Sequence, residues 1–207
     1  MSGKGKRIFV SGIGTEIGKT FCSAILVEAL KADYWKPVQA GELDQLDSDW
    51  VRNTISNERS QFHPEQFLLS QPMSPHAAAK IGGIRLDPKG FVLPETTNHL
   101  IIEGAGGLMV PLNHSGDLIV DLIPLVAEEV VLVSKNYLGS INHTLLSIAL
   151  LKQRNIPIAG IIFNGDSNPE TEEIVLQTTG VKCIGKVPTL KGDLKMFIKR
   201  QADLLVI

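Results

Sequence analysis

The sequence has few cysteines, no long apolar run and no strongly charged segment. Its two cysteines, Cys22 and Cys183, lie far apart and have no further cysteine or histidine at metal-ligand spacing. They predict neither a disulfide framework nor a zinc site, and isolated thiols of this kind are typical of cytoplasmic proteins. No apolar run approaches the length of a membrane span, and the first residues lack the apolar core of a signal peptide. We expect a cytoplasmic protein that does not contact a membrane.

The charge balance argues against a nucleic-acid partner. The 207 residues carry a formal net charge of -2 and a sequence pI of about 6.2, and the only clustered positive charges are Lys4, Lys6 and Arg7. A short basic tip is typical of a solvated terminus, so we expect residues 1–6 to be flexible. With 43% hydrophobic residues, the chain is predicted to form one well-buried domain over residues 1–207 that binds no nucleic acid.

Short apolar, β-branched segments alternate with longer helix-like segments along the chain. This alternation predicts an α/β fold with a mostly parallel sheet and helices on both faces. The predicted strands are 7–11, 33–38, 99–104, 129–134, 158–164 and 183–188. The predicted helices are 18–32, 47–56, 75–81, 120–126, 142–154, 169–178 and 194–202, with Asn142 as one N-cap and Ser167 or Asn168 as another. The segment 43–98 is the least periodic, so we expect insertions and loops there.

The first predicted strand is followed directly by the glycine-rich segment GIGTEIGKT, residues 12–20. A standard phosphate-binding loop, G-x-x-x-x-G-K-[ST], is one residue shorter between its glycines. In such a loop the backbone N–H groups surround phosphate oxygens, and here Lys19 would reach the β- and γ-phosphates while Thr20 would ligate Mg²⁺. The alternative is a glycine-rich turn with an exposed lysine. The position between a strand and a helix favours the phosphate loop.

Polar residues at or near the ends of later strands are candidates for the same site, because ligands of open α/β sheets bind beyond the carboxyl ends of the strands. Glu103 is a candidate metal ligand, or else an ordinary strand-terminal carboxylate. Asp49 is a second candidate ligand, with Asp47 as its competitor and a helix cap as the alternative. Lys36 would neutralise charge on transferred oxygens, or else be a surface lysine. Asn164 would contact a nucleotide base or be a turn residue.

The oversized loop resembles the G-T-x-T-[DE]-x-G-K-T loop of the dethiobiotin synthetases, and other segments resemble the same family. They are KPVQAG at 36–41, SDW at 48–50, SPHAAA at 74–79, EGAGGLMVPL at 103–112, LGSINHTLLS at 138–147, FNGD at 163–166 and GKVPTL at 185–190. One such segment alone is not specific, but the combination along the whole chain is. The resemblance implies a P-loop nucleotide hydrolase-like α/β fold. It also implies ATP- and Mg²⁺-dependent carboxylation and ring closure of 7,8-diaminononanoate to dethiobiotin, without a covalent enzyme intermediate.

The resemblance further implies roles for individual residues. Catalysis would depend on Thr15, Lys19 and Lys36, and Mg²⁺ would be held directly or through water by Thr20, Asp49 and Glu103. ATP would be bound by Glu16, Ile17, Gly18, Lys19, Thr20, Phe21, Asp49, Glu103, Gly104, Ala105, Gly106, Asn164, Gly165, Pro188, Thr189 and Leu190. The substrate would contact Lys36, Ala40 and Gly107. In a homodimer with its active site at the interface, it would also contact Leu138, Gly139, Ser140 and Asn142 of the partner subunit.

Ala40 departs from the family pattern. Many members have serine or threonine there, and that hydroxyl can contact the substrate, so only backbone groups serve at this position here. The family-like histidines, His76 and His143, are predicted to brace the structure, because no step of the implied reaction needs an imidazole.

Two other kinds of protein carry similar loops. The ATP-dependent amide ligases of cobalamin synthesis have an attached glutaminase domain with a nucleophilic cysteine, for which 207 residues leave no room. Partition and septum-placement ATPases resemble K-G-G-x-x-K-[ST], with an extra lysine early in the loop, where this chain has Gly12, Ile13 and Gly14. They also need a DNA-binding patch or a membrane-targeting helix, which the segment 194–207 suggests only weakly. Both alternatives are therefore disfavoured.

Overall fold

The apolar, β-branched segments form the strands of a parallel sheet. A computed structural model describes residues 5–207, and its strands are β1 (Arg7–Gly12), β2 (Asp33–Trp35), β3 (Val38–Ala40), β4 (Phe62–His63), β5 (Phe67–Leu69), β6 (Leu100–Gly107), β7 (Glu129–Lys135), β8 (Ile158–Asn164) and β9 (Cys183–Val187). Seven of them form one sheet in the order β4-β2-β6-β1-β7-β8-β9, and β3 pairs with β5. All of these pairs are parallel. The predicted sheet is therefore confirmed.

Helices cover both faces of the main sheet. They are α1 (Lys19–Leu30), α2 (Asp47–Thr54), α3 (Pro75–Ile81), α4 (Ile119–Val126), α5 (Ser140–Gln153), α6 (Pro169–Thr179) and α7 (Leu194–Ala202), with a 3-10 turn at Pro88–Gly90. Helices α1, α2 and α7 share a core with Val10 and Ile101, whereas α3 and α4 share one with Phe9 and Ile102. Because successive residues of a strand point to opposite faces, strands buried on both sides are apolar along their whole length.

The structure differs from the predicted strands beside Lys36. The predicted strand 33–38 is two strands, β2 and β3, because Pro37 has no amide hydrogen with which to continue the hydrogen-bond ladder. The Pro37 carbonyl instead accepts hydrogen bonds from Gln66 N and Phe67 N at 3.1 and 3.0 Å. The aperiodic segment 43–98 also contains the short strands β4 and β5, which were not predicted. Lys36 therefore lies just beyond β2, where the chain leaves the main sheet.

Helix α5 begins earlier than predicted. Its first residue is Ser140, and its N-cap is Gly139 with a φ of 100°, a left-handed conformation that favours glycine. Asn142 is therefore not the N-cap and lies within the first turn. The N-cap prediction is confirmed for α6, where the Asn168 side chain accepts a hydrogen bond from Thr171 N at 3.1 Å.

The N-terminal segment is described from Gly5 onward. Gly5 N donates to Thr97 O and Lys6 N donates to His99 Nδ1, each at 3.1 Å. The predicted flexibility of residues 1–6 mostly concerns residues 1–4, which lie outside the described residues. Within residues 5–207, no helix combines the length and the apolar character needed to cross a membrane.

Candidate nucleotide and magnesium site

A cleft of about 650 Å³ lies beyond the carboxyl ends of β1, β2 and β6. Strand β6 lies between β1 and β2, and β7 lies on the other side of β1. The chain therefore leaves β1 toward one edge of the sheet, to form β2, and leaves β6 toward the other edge, to form β7. Such a switch point is where open α/β sheets bind ligands. The cleft brings together many residues predicted for the site, namely Thr15, Glu16, Gly18, Lys19, Thr20, Lys36, Ala40, Glu103, Gly104, Ala105 and Gly106.

The glycine-rich loop turns sharply before α1. Gly18 has a φ of 86°, and a Cβ atom there would lie 2.2 Å from Asn164 Nδ2, so a larger residue does not fit. Glu16 also adopts a positive φ, of 56°. Within residues 5–207, the amides of residues 14–17 have no backbone acceptor, and they precede the positive end of the α1 dipole. Free amides in this position are the arrangement that binds phosphate.

The side chain of Asn164, at the end of β8, holds this loop through a hydrogen bond. Its Nδ2 donates to Ile17 O at 2.8 Å, which joins the loop to the end of β8. The Ile17 side chain is buried beneath the loop. Asn164 was predicted to contact a base, and the structure adds this contact with the loop, which the sequence did not suggest.

Two buried lysines enter the cleft from different elements. Lys19 begins α1 and is 9% exposed, while Lys36 follows β2 and is 8% exposed. Lys36 Nζ forms ion pairs with Asp47 and, at 3.2 Å, with Glu103 Oε1. Burial lowers the pKa of Lys19, and the charge of Lys36 lowers it further, although Glu103 acts in the opposite direction. A polyanion that enters the cleft would meet both side chains.

Glu103 is the most deeply buried of these charged groups. It lies in β6, is 1% exposed, and accepts at Oε1 from Thr20 Oγ1 at 2.8 Å. Its Oε2 accepts from Tyr34 Oη at 2.9 Å. Burial alone would raise the pKa of Glu103, but the charges of Lys36 and Lys19 and the two hydroxyl donors hold it below its usual value. Glu103 is therefore a carboxylate at neutral pH.

Asp47, rather than Asp49, lies beside this cluster. Asp47 pairs with Lys36, and its Oδ1 lies 3.3 Å from Thr20 Oγ1. The Asp49 side chain is half exposed and pairs with Arg52 on α2 itself. Residues two apart on a helix point to different sides, so only one of the two aspartates faces the cleft. The sequence favoured Asp49 as the aspartate of the site, whereas the structure places Asp47 there.

The oxygen atoms around Thr20 fit a magnesium ion. The Thr20 hydroxyl, Glu103 Oε1 and the Asp47 carboxylate lie within hydrogen-bond distance in one corner of the cleft. Mg²⁺ prefers oxygen ligands and retains several waters, so it needs few protein ligands. Among residues 5–207, no group of three or more His, Cys, Asp or Glu side chains is arranged to hold a metal. The donor set here is instead one hydroxyl and two carboxylates.

Other residues predicted to bind ATP or substrate lie around or behind the cleft. Phe21 packs against Trp50 and Phe197, with ring centroids 6.2 and 5.8 Å apart. Gly107 pairs with Gly12 between β6 and β1. At the neighbouring strand ends lie Gly165, after β8, and Pro188, Thr189 and Leu190, after β9. These strand-end residues are not part of the lining of the 650 Å³ cleft.

The predicted substrate residues 138–142 lie in a different region of the chain. Leu138, Gly139 and Asn142 line a second cleft, of about 830 Å³, between the starts of α5 and α6. Ser140 is buried, and its Oγ accepts from Tyr137 N at 3.3 Å. Leu138, by contrast, is fully exposed. Within one chain, these residues do not line the first cleft.

The two family-like histidines do not line the first cleft themselves, and each contacts a hydroxyl group near the start of a helix. His76 Nδ1 lies 3.0 Å from Ser74 Oγ, just before α3. His143 Nδ1 lies 2.8 Å from Tyr137 Oη, at the start of α5. Both contacts agree with the predicted bracing role. Tyr34 is a site residue that the sequence analysis missed, although it lies two residues before Lys36, a spacing that places strand side chains on one face.

A second buried carboxylate, Glu172, organises the strand ends beside the candidate base site. Its Oε1 accepts from Asn136 Nδ2 at 3.1 Å, and from Ser167 Oγ and Asn168 N at 2.9 Å. Lys186 Nζ lies 2.7 Å from its Oε2. Burial would raise the pKa of Glu172, but the contact with Lys186, which has the largest opposing effect, and the hydrogen bonds to Oε1 hold it below the usual value of 4.5. One carboxylate thus joins the ends of β7, β8 and β9.

The parallel sheet, the strand-loop-helix unit and the cleft at the switch point define an α/β P-loop nucleotide-binding protein. A family model described as an AAA domain matches residues 6–193. The protein named ATP-dependent dethiobiotin synthetase BioD from Christiangramia forsetii is 52% identical over 198 residues, covering 96% of this chain and 95% of that protein. The protein of the same name from Cytophaga hutchinsonii is 52% identical over 180 residues, covering 86% of each. The chain belongs to the dethiobiotin synthetases, a family of ATP-dependent ligases, as its motifs predicted.

Solved structures with the same fold have much lower sequence identity. A plasmid partition protein from Borrelia burgdorferi has a TM-score of 0.61 at 13% identity, covering 97% of this chain and 96% of that one. The septum site-determining protein MinD complexed with Mg-ADP from Pyrococcus horikoshii has a TM-score of 0.54 at 16% identity, covering 96% and 94%. These likenesses confirm the P-loop α/β fold and carry no information about the reaction.

We predict that Glu172→Gln lowers the free energy of unfolding by about 2 kcal/mol near pH 7, because the neutral amide loses charge-assisted hydrogen bonds. A carboxylate whose pKa is depressed in the folded state contributes stability above its unfolded pKa. That contribution is lost as the pH falls through the folded value. The difference between the two proteins in urea unfolding should therefore shrink below pH 4.5. The control is Glu173→Gln on the exposed side of α6, and a difference for Glu172→Gln that does not change with pH would contradict the prediction.

Proposed function

We propose that the chain joins 7,8-diaminononanoate and CO₂ with ATP and Mg²⁺ to form dethiobiotin, ADP and phosphate, as one cytoplasmic domain over residues 1–207. The relatives at 52% identity are named for dethiobiotin synthesis, which supports this substrate. The phosphate loop supports the use of ATP. The observation that carries the proposal is Lys36, a second buried lysine that shares a cleft with the phosphate-loop lysine.

The position of Lys36 suits a reaction between two anions. A carbamate and a γ-phosphate repel each other, and a cation placed between them offsets this repulsion. Glu103 and Asp47 hold Lys36 Nζ in the cleft through ion pairs. An ammonium group that is already held in place loses less conformational freedom when the substrate binds. Lys36 is therefore suited to orient the carbamate, while Lys19 neutralises the phosphates of ATP.

The proposed reaction has three steps. One amine of the substrate captures CO₂ as a carbamate, the γ-phosphoryl group moves to a carbamate oxygen, and the second amine attacks the mixed anhydride and releases phosphate. The transfer depends on positioning and charge neutralisation, so it needs no nucleophilic side chain. Thr20, Asp47 and Glu103 would hold the metal, which when bound adds positive charge at the phosphate oxygens. Thr15, exposed in the loop, would contact the reacting groups.

The ends of β8 and β9 are proposed to hold the adenine. Asn164 Nδ2 is already bonded to Ile17 O, which leaves its Oδ1 to accept from the amino group of the base. The exposed segment 188–190 and Gly165 would flank the ring. On the substrate side, Ala40 would contribute only its backbone groups, together with the glycines of the GAGG segment, 104–107.

The 138–142 segment is proposed to complete the site of a second subunit. Leu138 is fully exposed just before α5, next to the half-exposed Tyr137, and Leu146 in the middle of α5 is 60% exposed. A homodimer would cover this apolar surface. It would also bring the N-terminus of α5, the preferred end of a helix for anions, to the carboxylate of the substrate bound in the partner.

The first experiment measures phosphate release and, by mass spectrometry, dethiobiotin formation from ATP, Mg²⁺, bicarbonate and diaminononanoate. We expect release that depends on the diamine, and we expect Lys36→Met to lower the rate by about a hundredfold or more, because a charge at the transferring group is lost. Lys80→Met, at an exposed position of α3, is the matched control. Diamine-independent release with no dethiobiotin would refute the proposed reaction, and normal turnover in Lys36→Met would refute the role of that lysine.

A paired substitution tests which aspartate serves the metal. We predict that Asp47→Asn raises the Mg²⁺ concentration needed for half-maximal rate and lowers kcat/KM by on the order of a hundredfold, since a carboxylate near the metal is lost. Asp49→Asn removes only a surface ion pair, so its rate should stay close to that of the wild type. The opposite ranking of the two variants would restore Asp49 as the metal ligand.

A subunit-mixing experiment tests the shared site. Lys36→Met and Asn142→Asp should each be inactive, the second because its new charge repels the substrate carboxylate. If each site combines Lys36 of one subunit with Asn142 of the other, re-equilibrated equal mixtures should regain about a quarter of wild-type activity. Half of the dimers would then be mixed, each with one intact site. Mixtures that stay inactive, although light scattering shows dimers, would place both residues in the same subunit's site.

A further inference from the structure

Tyr34 is buried in a position where its hydroxyl group needs a partner. It lies in β2, is 0% exposed, and its ring packs 5.9 Å from that of Phe62. A buried hydroxyl group without a hydrogen bond destabilises the fold, so a phenylalanine would be more favourable here unless the hydroxyl had a partner. Its partner is Glu103 Oε2, at 2.9 Å. A carboxylate only accepts hydrogen bonds, so the tyrosine is the donor.

The two oxygens of Glu103 are divided between different neighbours. Oε1 faces the cleft and contacts Thr20 Oγ1 at 2.8 Å and Lys36 Nζ at 3.2 Å. Oε2 faces away and is held by Tyr34. Strands β2 and β6 are direct neighbours, with Tyr34 in register with Ile101. The hydrogen bond between Tyr34 and Glu103 therefore joins two strands whose relative position is set by the sheet. Rotation of the carboxyl group out of this orientation would break the Tyr34 bond inside the protein.

We propose that Tyr34 is a positioning residue that fixes the Glu103 carboxylate with Oε1 turned toward the metal. The inference rests on the proposed function, in which Glu103 is a metal ligand. Partners of a ligating carboxylate restrict its orientation, and their loss typically lowers metal affinity by about 10–100-fold. Tyr34 does not itself line the cleft, and its hydroxyl contacts the lining residue Glu103. Loss of the Tyr34 hydroxyl should therefore lower the affinity for the metal and leave the affinity for the nucleotide unchanged.

The test is Tyr34→Phe in the full chain, which keeps the ring and removes the donor. Mn²⁺ is titrated by electron paramagnetic resonance in the presence of a non-hydrolysable ATP analogue. We expect the Kd for Mn²⁺ to rise about tenfold, while the affinity for the analogue in excess chelator stays unchanged. Trp35→Phe is the matched control, because it removes a buried donor, Trp35 Nε1 to Pro64 O at 3.1 Å, from the next residue of the same strand. It should lower the melting temperature and leave Mn²⁺ binding unchanged.

Glu103→Gln separates this inference from the proposed function. If Tyr34 acts through Glu103, Tyr34→Phe should weaken Mn²⁺ binding in the wild-type background and have little further effect in Glu103→Gln. An unchanged Mn²⁺ Kd in Tyr34→Phe, or an equal loss in both backgrounds, would overturn the inference and leave Glu103 as a ligand. If Glu103→Gln itself binds Mn²⁺ as the wild type does, the metal role of Glu103 fails, and the inference fails with it.

Discussion

The arrangement of the cleft depends on one ion pair, between the buried carboxylate of Glu103 and Lys36. A carboxylate with 1% exposure is tolerated only when cations and hydrogen-bond donors replace its water. Those groups come from different parts of the chain: Thr20 from α1, Tyr34 from β2 and Lys36 from the turn after it. This one charge therefore joins the phosphate loop, β2 and the turn after β2 to β6 at the cleft.

The same pair gives the cleft its electrostatic character. Lys19 and Lys36 are opposed by Glu103 and Asp47, so the four groups balance without a ligand. Each lysine is buried, and burial disfavours an unpaired ammonium, as the lowered pKa of Lys19 reflects. Phosphates bring further negative charge and Mg²⁺ brings compensating positive charge. A cleft of this kind is suited to bind the nucleotide and the metal together rather than either one alone.

The sequence predicted much of this arrangement and failed at identifiable points. The apolar strands and the polar residues at their ends follow from periodicity, which placed Lys19, Lys36 and Glu103 at one edge of the sheet. The predicted strand 33–38 is divided at Pro37, because proline has no amide hydrogen to donate to the sheet. The sequence could not show which of Asp47 and Asp49 faces the cleft. It indicated where the helix begins, but not how the helix is rotated about its own axis. That rotation is set by the packing of Val51 in the core.

The fold alone cannot explain the chemistry. Partition and septum proteins share the overall fold at 13 to 16% identity, and a shared fold does not determine function. The features on which the proposed reaction depends lie at strand ends and helix starts: Lys36 beside the buried carboxylate, and the exposed Leu138 segment before α5. Each requires only a few residues on an unchanged sheet. Different reactions can therefore arise on one fold through changes at a few strand-end and helix-start positions.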